Sequence, residues 1–329
     1  MMRGARILVE KCAAVKPGER VLIATDFAMP QMAHLLASAA IFSGAESAII
    51  SILPRSVDSE ELPEAVGAAM LQADVIFNLL SKSAAHTSAV KAALAGGARV
   101  VSLTGLNEER MAGGGIEADF DALQPLARRV GSLLTGARAA RLTSPAGTEA
   151  TMVLEGRGAN VHAGLAREPG QFTAGYGAEC SVSPVEGTAQ GTFVFDGSVP
   201  YLGIGVLQQP ITMRVEGGRI VDISGGSQAT DLARRMAAQH DPNVYNIAQL
   251  SFGLNPLCHI QGSNLDDEGS YGTCHIGIGT SSNLGGEVKA KMHFDALMYR
   301  PTLELDGKVV LREGDWLLPE AAAVKEMTG

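Results

Sequence analysis

Runs of β-branched residues alternate with alanine-rich stretches over roughly the first 135 residues. The pattern predicts strands at 21–25, 47–53, 74–80 and 98–105, and helices at 30–45, 61–73, 83–97 and 120–137. Pro30 suits the first turn of a helix and Gly44 its end. Strands that alternate with helices are typical of crossover units around a parallel sheet, so the sequence predicts an open α/β domain here.

After about residue 140 the pattern changes to apolar and polar residues in alternation, which favours half-buried strands. Such runs occur at 149–157, 191–197, 211–226, 274–282 and 301–317, with one helix near 231–240. The segments EGGR and DGKV separate alternating runs as hairpin turns do, because glycine accepts positive φ. We therefore predict two domains, an open α/β domain over 1–138 and a β-rich α+β domain over 139–329.

Composition narrows the possible functions. Hydrophobic residues make up 46% and charged residues 19% of the 329 residues, which excludes a disordered chain. The net charge is −9 and no segment concentrates basic residues, which argues against nucleic acid as a partner. Apolar runs fall short of the roughly 20 residues that cross a membrane. The first residues reach Glu10 and Lys11 before a signal-like apolar run forms, so we expect a cytoplasmic protein.

Histidines with ligand chemistry concentrate in the second predicted domain, where His259, His275 and His293 fall close together. His293 and Asp295 are two residues apart, so on a strand they share the face that an imidazole and a carboxylate need to bind one metal. His275 shares a strand face with two glycines, which leaves space beside its imidazole. The alternative for His275 is a histidine satisfied inside the core.

Other candidates carry less information. Glu179 follows a glycine-rich turn and could be a metal ligand, a general base or a charge at a rim. Glu268 is expected in a solvated acidic turn, although its seven-residue separation from His275 allows the chain to fold back. Weaker candidates for substrate contacts, for lining a cavity or for supporting the site are Gln249, His259, Glu268, Tyr271 and His240. We expect the remaining histidines, His34, His86 and His162, on helices or turns.

The order of motifs in this chain resembles one known superfamily. The segments are SPAGTEATMVLEGR, PGQFTAGYGAE, QLSFGLNP, GTCHIGIG, NLGGEVKAKMHFD and PTLELDG. They resemble the thermophilic-type metallo-aminopeptidases of the aminopeptidase T and S group and their relatives, the 2,5-dihydroxypyridine 5,6-dioxygenases. The resemblance implies a flavodoxin-like N-terminal domain, a β-rich metal-binding domain, and commonly a homodimer whose cavity encloses the active site.

The two branches of the superfamily imply different ligand sets. In the aminopeptidase branch, the metal ligands match Glu179, His275, His293 and Asp295, while two usual glutamates are replaced by Gln249 and Ser270. Glu268 is the carboxylate nearest to the second of these positions. In the dioxygenase branch, two histidines and an aspartate hold one iron. The last two match His293 and Asp295, while the other histidine aligns near Gln249. Substrate-handling histidines expected after the PG turn are also missing from PGQFTAGYG.

Three hypotheses follow. His275, His293 and Asp295 could form a two-histidine, one-carboxylate set with Glu179 as a fourth ligand or proton-transfer group, leaving positions for a small-molecule substrate and O₂. This set favours one divalent metal ion, Fe(II) first, in a dioxygenase that opens a hydroxylated, nitrogen-containing aromatic ring. The same set could hold Zn(II) or Co(II) and hydrolyse an amide bond, with Glu179 as general base. The third hypothesis is a catalytically inert relative that binds a small ligand.

Overall fold

The computed structural model describes residues 1–27, 29–57, 60–85, 87–282 and 284–328. His86 therefore lies outside the described residues. The helices are α1 (Met2–Arg6, continued by a π-helical turn Ile7–Cys12), α2 (Pro30–Phe42), α3 (Glu64–Met70), α4 (Ser88–Ala95), α5 (Glu108–Ala112), α6 (Phe120–Gly136), α7 (Ser227–Ala237), α8 (Asn264–Gly269) and α9 (Ala321–Lys325). Short 3-10 turns lie at Gly115–Glu117, Pro242–Tyr245 and Glu326–Thr328.

The strands are β1 (Arg20–Asp26), β2 (Glu46–Ile52), β3 (Val75–Leu79), β4 (Arg99–Ser102), β5 (Ala139–Thr143), β6 (Glu149–Val153), β7 (Asn160–Ala163), β8 (Phe172–Thr173), β9 (Ala178–Val182), β10 (Gln190–Phe195), β11 (Ser198–Val199), β12 (Gly205–Val206), β13 (Ile211–Glu216), β14 (Arg219–Ser224), β15 (Ile247–Gly253), β16 (Cys274–Gly279), β17 (His293–Met298), β18 (Thr302–Leu305), β19 (Lys308–Arg312) and β20 (Asp315–Trp316). No described helix is long and apolar enough to cross a membrane.

The chain divides into two compact units. Unit 1 comprises residues 1–120 and 162–177, and unit 2 comprises residues 121–161 and 178–329. Both units thus contain two separate stretches of chain, whereas the sequence predicts one continuous domain on each side of residue 138. The stretch 162–177 belongs to unit 1 because it contributes β8, a strand that the sequence pattern does not predict. The division into domains at 1–138 and 139–329 stays a prediction.

Unit 1 is built on a parallel sheet in the order β2-β1-β3-β4-β8. The predicted strands and helices of this region are confirmed, while α1 and α5 were not predicted. Every residue of β3 is buried, as expected for a central strand covered on both faces. On one face, Ile76 and Val100 pack with Val66 of α3 and Val90 of α4 in a single apolar cluster.

Unit 2 contains an antiparallel sheet in the order β14-β13-β10-β6-β5-β18-β19-β20. The two predicted hairpins are confirmed, β13–β14 and β18–β19. The β18–β19 turn uses Asp306 at φ 48° and Gly307 at φ 83°, the left-handed pair that a tight two-residue hairpin requires. The predicted mixed fold, with a parallel sheet followed by a β-rich region, is therefore present.

A second sheet of unit 2 carries most of the candidate residues. Four of its strands run antiparallel in the order β17-β16-β15-β9, and β7 lies beyond β9 where the chain passes between units. All residues of β15 and β16 are buried. Because both faces of these strands are covered, polar residues on them are removed from bulk water.

Candidate metal centre

Strand pairing places the candidate residues on one face of this second sheet. Gln249 of β15 lies opposite Gly277 of β16, and Gly277 lies opposite Asp295 of β17. In the next row Ser251 lies opposite His275, and beyond it Gly253 lies opposite Glu179. His293 lies opposite Gly279. Residues directly opposite each other point to the same face, so these side chains form one polar surface, called the site face below.

The other face of the same strands is apolar. Phe252, Ile276 and Phe294 have no exposed surface, and neither do Cys180 and Cys274. Burial raises the pKa of both thiols far above its usual range, so they stay protonated and unreactive. All four cysteines, Cys12, Cys180, Cys258 and Cys274, are free and buried.

A backbone carbonyl fixes the orientation of His293. Its Nδ1 lies 2.9 Å from the carbonyl oxygen of Thr280. Because a carbonyl can only accept, Nδ1 carries a hydrogen, and Nε2, 3.5 Å from Oδ2 of Asp295, is the nitrogen that can either bind a metal ion or, when protonated, donate to this carboxylate. This arrangement is the one by which proteins orient a metal-binding imidazole. Burial acts to lower the pKa of His293, but the charge and hydrogen bond of Asp295 outweigh it and the pKa is raised.

His275 and Glu179 form a second pair on the site face. Nε2 of His275 lies 3.0 Å from Oε2 of Glu179, and the imidazole is 1% exposed. Burial acts to lower the pKa of His275, but the hydrogen bond and the charge of Glu179 raise it overall. Asp295 and His293 also act on the pKa of His275, so both pairs belong to one electrostatic cluster.

Gly277 lets the side chains around it pack closely. A Cβ at this position would lie 2.6 Å from Cβ of Gln249 and 2.8 Å from Cε1 of His293. Any side chain here would have to displace one of these neighbours. The absent side chain therefore lets Gln249 and His293 pack directly against the backbone of β16, where they occupy the space that it leaves.

The prediction of a solvated turn at Glu268 is wrong. Glu268 lies on α8, whose C-terminal end packs on the site face so closely that a Cβ at Gly253 would overlap the backbone of Ser270. Oε1 of Glu268 is buried. Burial, together with the charges of Asp295 and Glu179, raises the pKa of Glu268 well above its usual range. The acidic run folds as a helix, and the carboxylate of Asp267 ties this helix to the preceding loop.

Asp267 holds this helix in place. Its carboxylate accepts hydrogen bonds from Ser198 Oγ at 2.5 Å, from Gln261 N at 2.8 Å and from Gly262 N at 2.9 Å. Its carboxylate thus joins α8 to the preceding loop and to Ser198 of β11. Sequence reasoning missed Asp267, since its signal was only its place in an acidic run, and also Ser251, which shares the face of Gln249 two residues away.

The weaker candidates lie elsewhere. His240 is exposed after the end of α7, which corrects its expected place beside a cavity. His259 and Tyr271 line a cleft of about 440 Å³ to which, in the described part of the chain, none of the four candidate ligands contributes. Burial raises the pKa of Tyr271 to about 12. His34 lies on α2 as predicted, whereas His162 lies on β7 rather than on a helix or turn.

The donor set fits a metal ion in its chemistry. Three buried atoms of the cluster, Nδ1 of His275, Oδ1 of Asp295 and Oε1 of Glu268, have no hydrogen-bond partner among the described residues. Donors that share one ion at about 2.1 Å stand roughly 3.0 to 3.4 Å apart, close to the separations within the two pairs. As the side chains stand, no three described His, Cys, Asp or Glu residues converge on one point.

Comparison with known proteins identifies the family of this chain. The family model for 2,5-dihydroxypyridine 5,6-dioxygenase matches residues 6–317. The chain belongs to this family. A curated relative, 2,5-dihydroxypyridine 5,6-dioxygenase from Pseudomonas putida KT2440, is 29% identical over 204 residues. That match spans 59% of this chain and 58% of the relative, less than two thirds of its length.

Two solved structures share the fold of this chain. The 2,5-dihydroxypyridine dioxygenase from Pseudomonas putida KT2440 has a TM-score of 0.84 at 22% identity and covers 97% of both chains. AmpT from Thermus thermophilus has a TM-score of 0.67 at 15% identity, covering 96% of this chain and 98% of its own. Both branches of the resemblance, and the predicted fold, are thereby confirmed. The family is named for an enzyme, and it implies a metal ion and a small-molecule substrate.

Proposed function

We propose that this chain is an Fe(II)-dependent dioxygenase that opens the ring of 2,5-dihydroxypyridine or a close analogue between carbons 5 and 6. The family supports this reaction, and the curated relative carries its name. The observation that carries the proposal is the buried cluster around Gly277, in which two imidazoles face two carboxylates and three buried polar atoms lack protein partners in the described chain. Buried charges of this kind need a cation to offset their desolvation.

His275, His293 and Asp295 are the residues proposed to hold the ion. Two imidazoles and one carboxylate leave coordination positions open, which suits Fe(II) in oxygenases. Bound iron would supply coordination of a substrate oxygen and of O₂ and electron transfer between them. The carbonyl of Thr280 accepts from Nδ1 of His293 and so leaves Nε2 as the nitrogen available to the ion. Gly277 lets His293 pack close to the backbone of β16, and the covered strands exclude bulk water from the cluster.

Glu179 is proposed to move a proton. Its Oε2 lies 3.0 Å from Nε2 of His275, and Ser251 Oγ lies 3.5 Å from the same oxygen. A carboxylate in this place could take up a proton from a substrate hydroxyl and return it to the opened ring. Both oxygen atoms of O₂ end in the product, and the broken bond is the one between ring carbons 5 and 6.

One observation favours amide hydrolysis as the second candidate. Glu268 brings a further carboxylate beside Asp295 and Glu179, and its buried Oε1 has no partner in the described chain. Additional carboxylate oxygen would suit a second divalent cation, as in two-metal hydrolases. With Zn(II) or Co(II), Glu179 would then serve as general base toward bound water. The cytoplasmic location and the homodimer predicted from the sequence stay predictions.

Metal analysis with oxygen uptake separates the two functions. Protein purified without oxygen is reconstituted with Fe(II), Zn(II) or Co(II), metal per chain is measured, and O₂ consumption is followed with 2,5-dihydroxypyridine. The proposal expects one iron per chain, substrate-dependent O₂ uptake, and no uptake with Zn(II). Two metals per chain and cleavage of peptide or cyclic amides without O₂ would overturn it in favour of the hydrolase.

A further inference from the structure

A short segment after β10 connects the site sheet to α8. It comprises residues 197–201, includes β11, and is called the anchor segment below. The backbone N–H of Gly197 donates to the carbonyl oxygen of Leu297 on β17 at 3.1 Å. A Cβ at Gly197 would lie 3.0 Å from the same oxygen, so a side chain here would press on the strand. The anchor segment therefore begins fixed against the strand that carries His293 and Asp295.

Two side chains of the anchor segment reach consecutive acidic residues of α8. Ser198 Oγ donates to Oδ2 of Asp267 at 2.5 Å, and both residues are fully buried. Three residues later, the hydroxyl of Tyr201 donates to the carboxylate of Glu268. Asp267 also accepts hydrogen bonds from backbone N–H groups of the loop before α8. The helix is therefore held both by the anchor segment and by this loop.

The two carboxylate oxygens of Glu268 differ in their surroundings. Oε1 is buried and has no hydrogen-bond partner among the described residues, so the hydroxyl of Tyr201 bonds to Oε2. The charges of Asp295 and Glu179 both act on Glu268, which is thereby in electrostatic contact with both histidine–carboxylate pairs. Proteins commonly orient a metal-binding carboxylate by a hydrogen bond from a neighbouring donor. Glu268 has such a donor at one oxygen and no partner in the described chain at the other.

We propose that Tyr201 is a positioning residue for the metal ion, because its hydrogen bond holds Glu268 with Oε1 available as a further oxygen ligand. This inference rests on the proposed function. Glu268 reaches the cluster from α8 rather than from the sheet, and its long side chain has several rotamers. Holding one of them costs conformational entropy, which the hydrogen bond from Tyr201 offsets. Phenylalanine at position 201 would keep the ring and remove this donor.

Anaerobic titration with Fe(II) tests this role without turnover. Dissociation constants are measured for the full-length wild type, Tyr201→Phe, Glu268→Ala and the double variant. We expect binding about 10-fold to 100-fold weaker in Tyr201→Phe and a loss at least as large in Glu268→Ala. The double variant should bind no more weakly than Glu268→Ala, because Tyr201 acts through Glu268. A merely structural role of Tyr201 would instead add its own loss to that of Glu268→Ala.

Two further variants protect the test from misfolding. Glu268→Gln keeps the shape of the side chain, loses its charge, and should also bind Fe(II) more weakly. Tyr299→Phe is the matched control, because Tyr299 lines the separate cleft with His259, and its affinity should equal that of the wild type.

The outcomes separate this inference from the proposed function. A wild type that binds one Fe(II) per chain, with equally tight binding by Tyr201→Phe, would overturn the role of Tyr201 alone. Additive losses in the double variant would overturn it as well. A wild type that binds no metal ion would overturn the proposed function and this inference with it.

Discussion

The central strands of the two units are buried to a similar degree but differ in the polarity of the side chains they bury. β3 of unit 1 is apolar on both faces apart from Asn78, and its neighbours fill the space around it with aliphatic side chains. β15 and β16 of unit 2 are equally buried, yet one face carries Gln249, Ser251 and His275. Burying polar groups that are not fully hydrogen-bonded costs stability, roughly 1 to 3 kcal/mol each. The site sheet gives up stability on one face, which its apolar face must offset.

The largest expected effect is on the site face. Asp295→Ala should abolish metal binding and lower activity by more than about 100-fold. Removing a residue that only orients a metal ligand costs about 10-fold to 100-fold, and removing the ligand itself should cost more. Metal per chain after reconstitution with Fe(II) and O₂ uptake measure the effect, with circular dichroism to verify folding. Full metal content and activity in this variant would show that the ion is held elsewhere.

Substitution of Phe294, the neighbour of Asp295 on β17, should lower stability and leave metal binding unchanged. Phe294→Ala removes a fully buried ring from the apolar face and should lower the free energy of unfolding by about 3 to 5 kcal/mol. Metal per folded chain should stay at the wild-type value. Urea unfolding of the metal-free protein measures the loss, and Phe294→Leu, which keeps most of the volume, should cost less than about 1.5 kcal/mol. Equal stability of the alanine variant would contradict the division into two faces.

Removing the proton-transfer group should slow turnover without disturbing the fold. Glu179→Gln keeps the shape of the side chain but cannot take up a proton, so we expect kcat to fall about 100-fold or more. The exposed Glu149 of the other sheet of unit 2 provides a matched control, and Glu149→Gln should leave turnover unchanged. Wild-type kcat for Glu179→Gln would assign this residue a purely structural role.

A methyl group at the centre of the site should have an intermediate effect. Gly277→Ala would press on Cε1 of His293 and Cβ of Gln249, so metal affinity should fall about 10-fold to 100-fold. Gly136→Ala is the control, because nothing lies within 4 Å of a Cβ there. Titration of the metal-free proteins with Fe(II) under anaerobic conditions compares them. An unchanged affinity for Gly277→Ala would mean that His293 does not hold the ion.

The same contrast explains what the sequence could predict. Periodicity predicts the elements of unit 1 and the hairpins well, because local spacing alone decides which face of a strand or helix a side chain occupies. The pairing of His293 with Asp295 follows in the same way from their two-residue separation on a strand. Glu268 and Asp267 could not be placed, because an acidic run is equally compatible with a solvated turn and with a helix held by Ser198 across 69 residues. The strand β8 could not be predicted either, because two residues are too few to show the apolar and polar alternation that indicates a strand.

The smallest expected effect is at an exposed ion pair of unit 1, the counterpart of the buried pairs of the site. Nη2 of Arg20 lies 2.8 Å from Oδ1 of Asp74, but the two side chains are 53% and 38% exposed, so solvent screens the attraction. Asp74→Asn should lower the free energy of unfolding by only about 0.2 to 1 kcal/mol at pH 7. Sodium chloride at about 1 M should erase most of that difference.

The pH dependence of this pair has a definite sign. The hydrogen bond from Arg20 and its charge hold the pKa of Asp74 below its usual range, despite the opposing effect of burial. The contribution is therefore fully present above the pKa of the unfolded chain, about 3.9, and is lost as the pH falls through the lower pKa of the folded protein. Urea unfolding of wild type and Asp74→Asn should thus converge as the pH is lowered below about 4. A difference that grew on acidification would show that the stabilisation comes from packing rather than from charge.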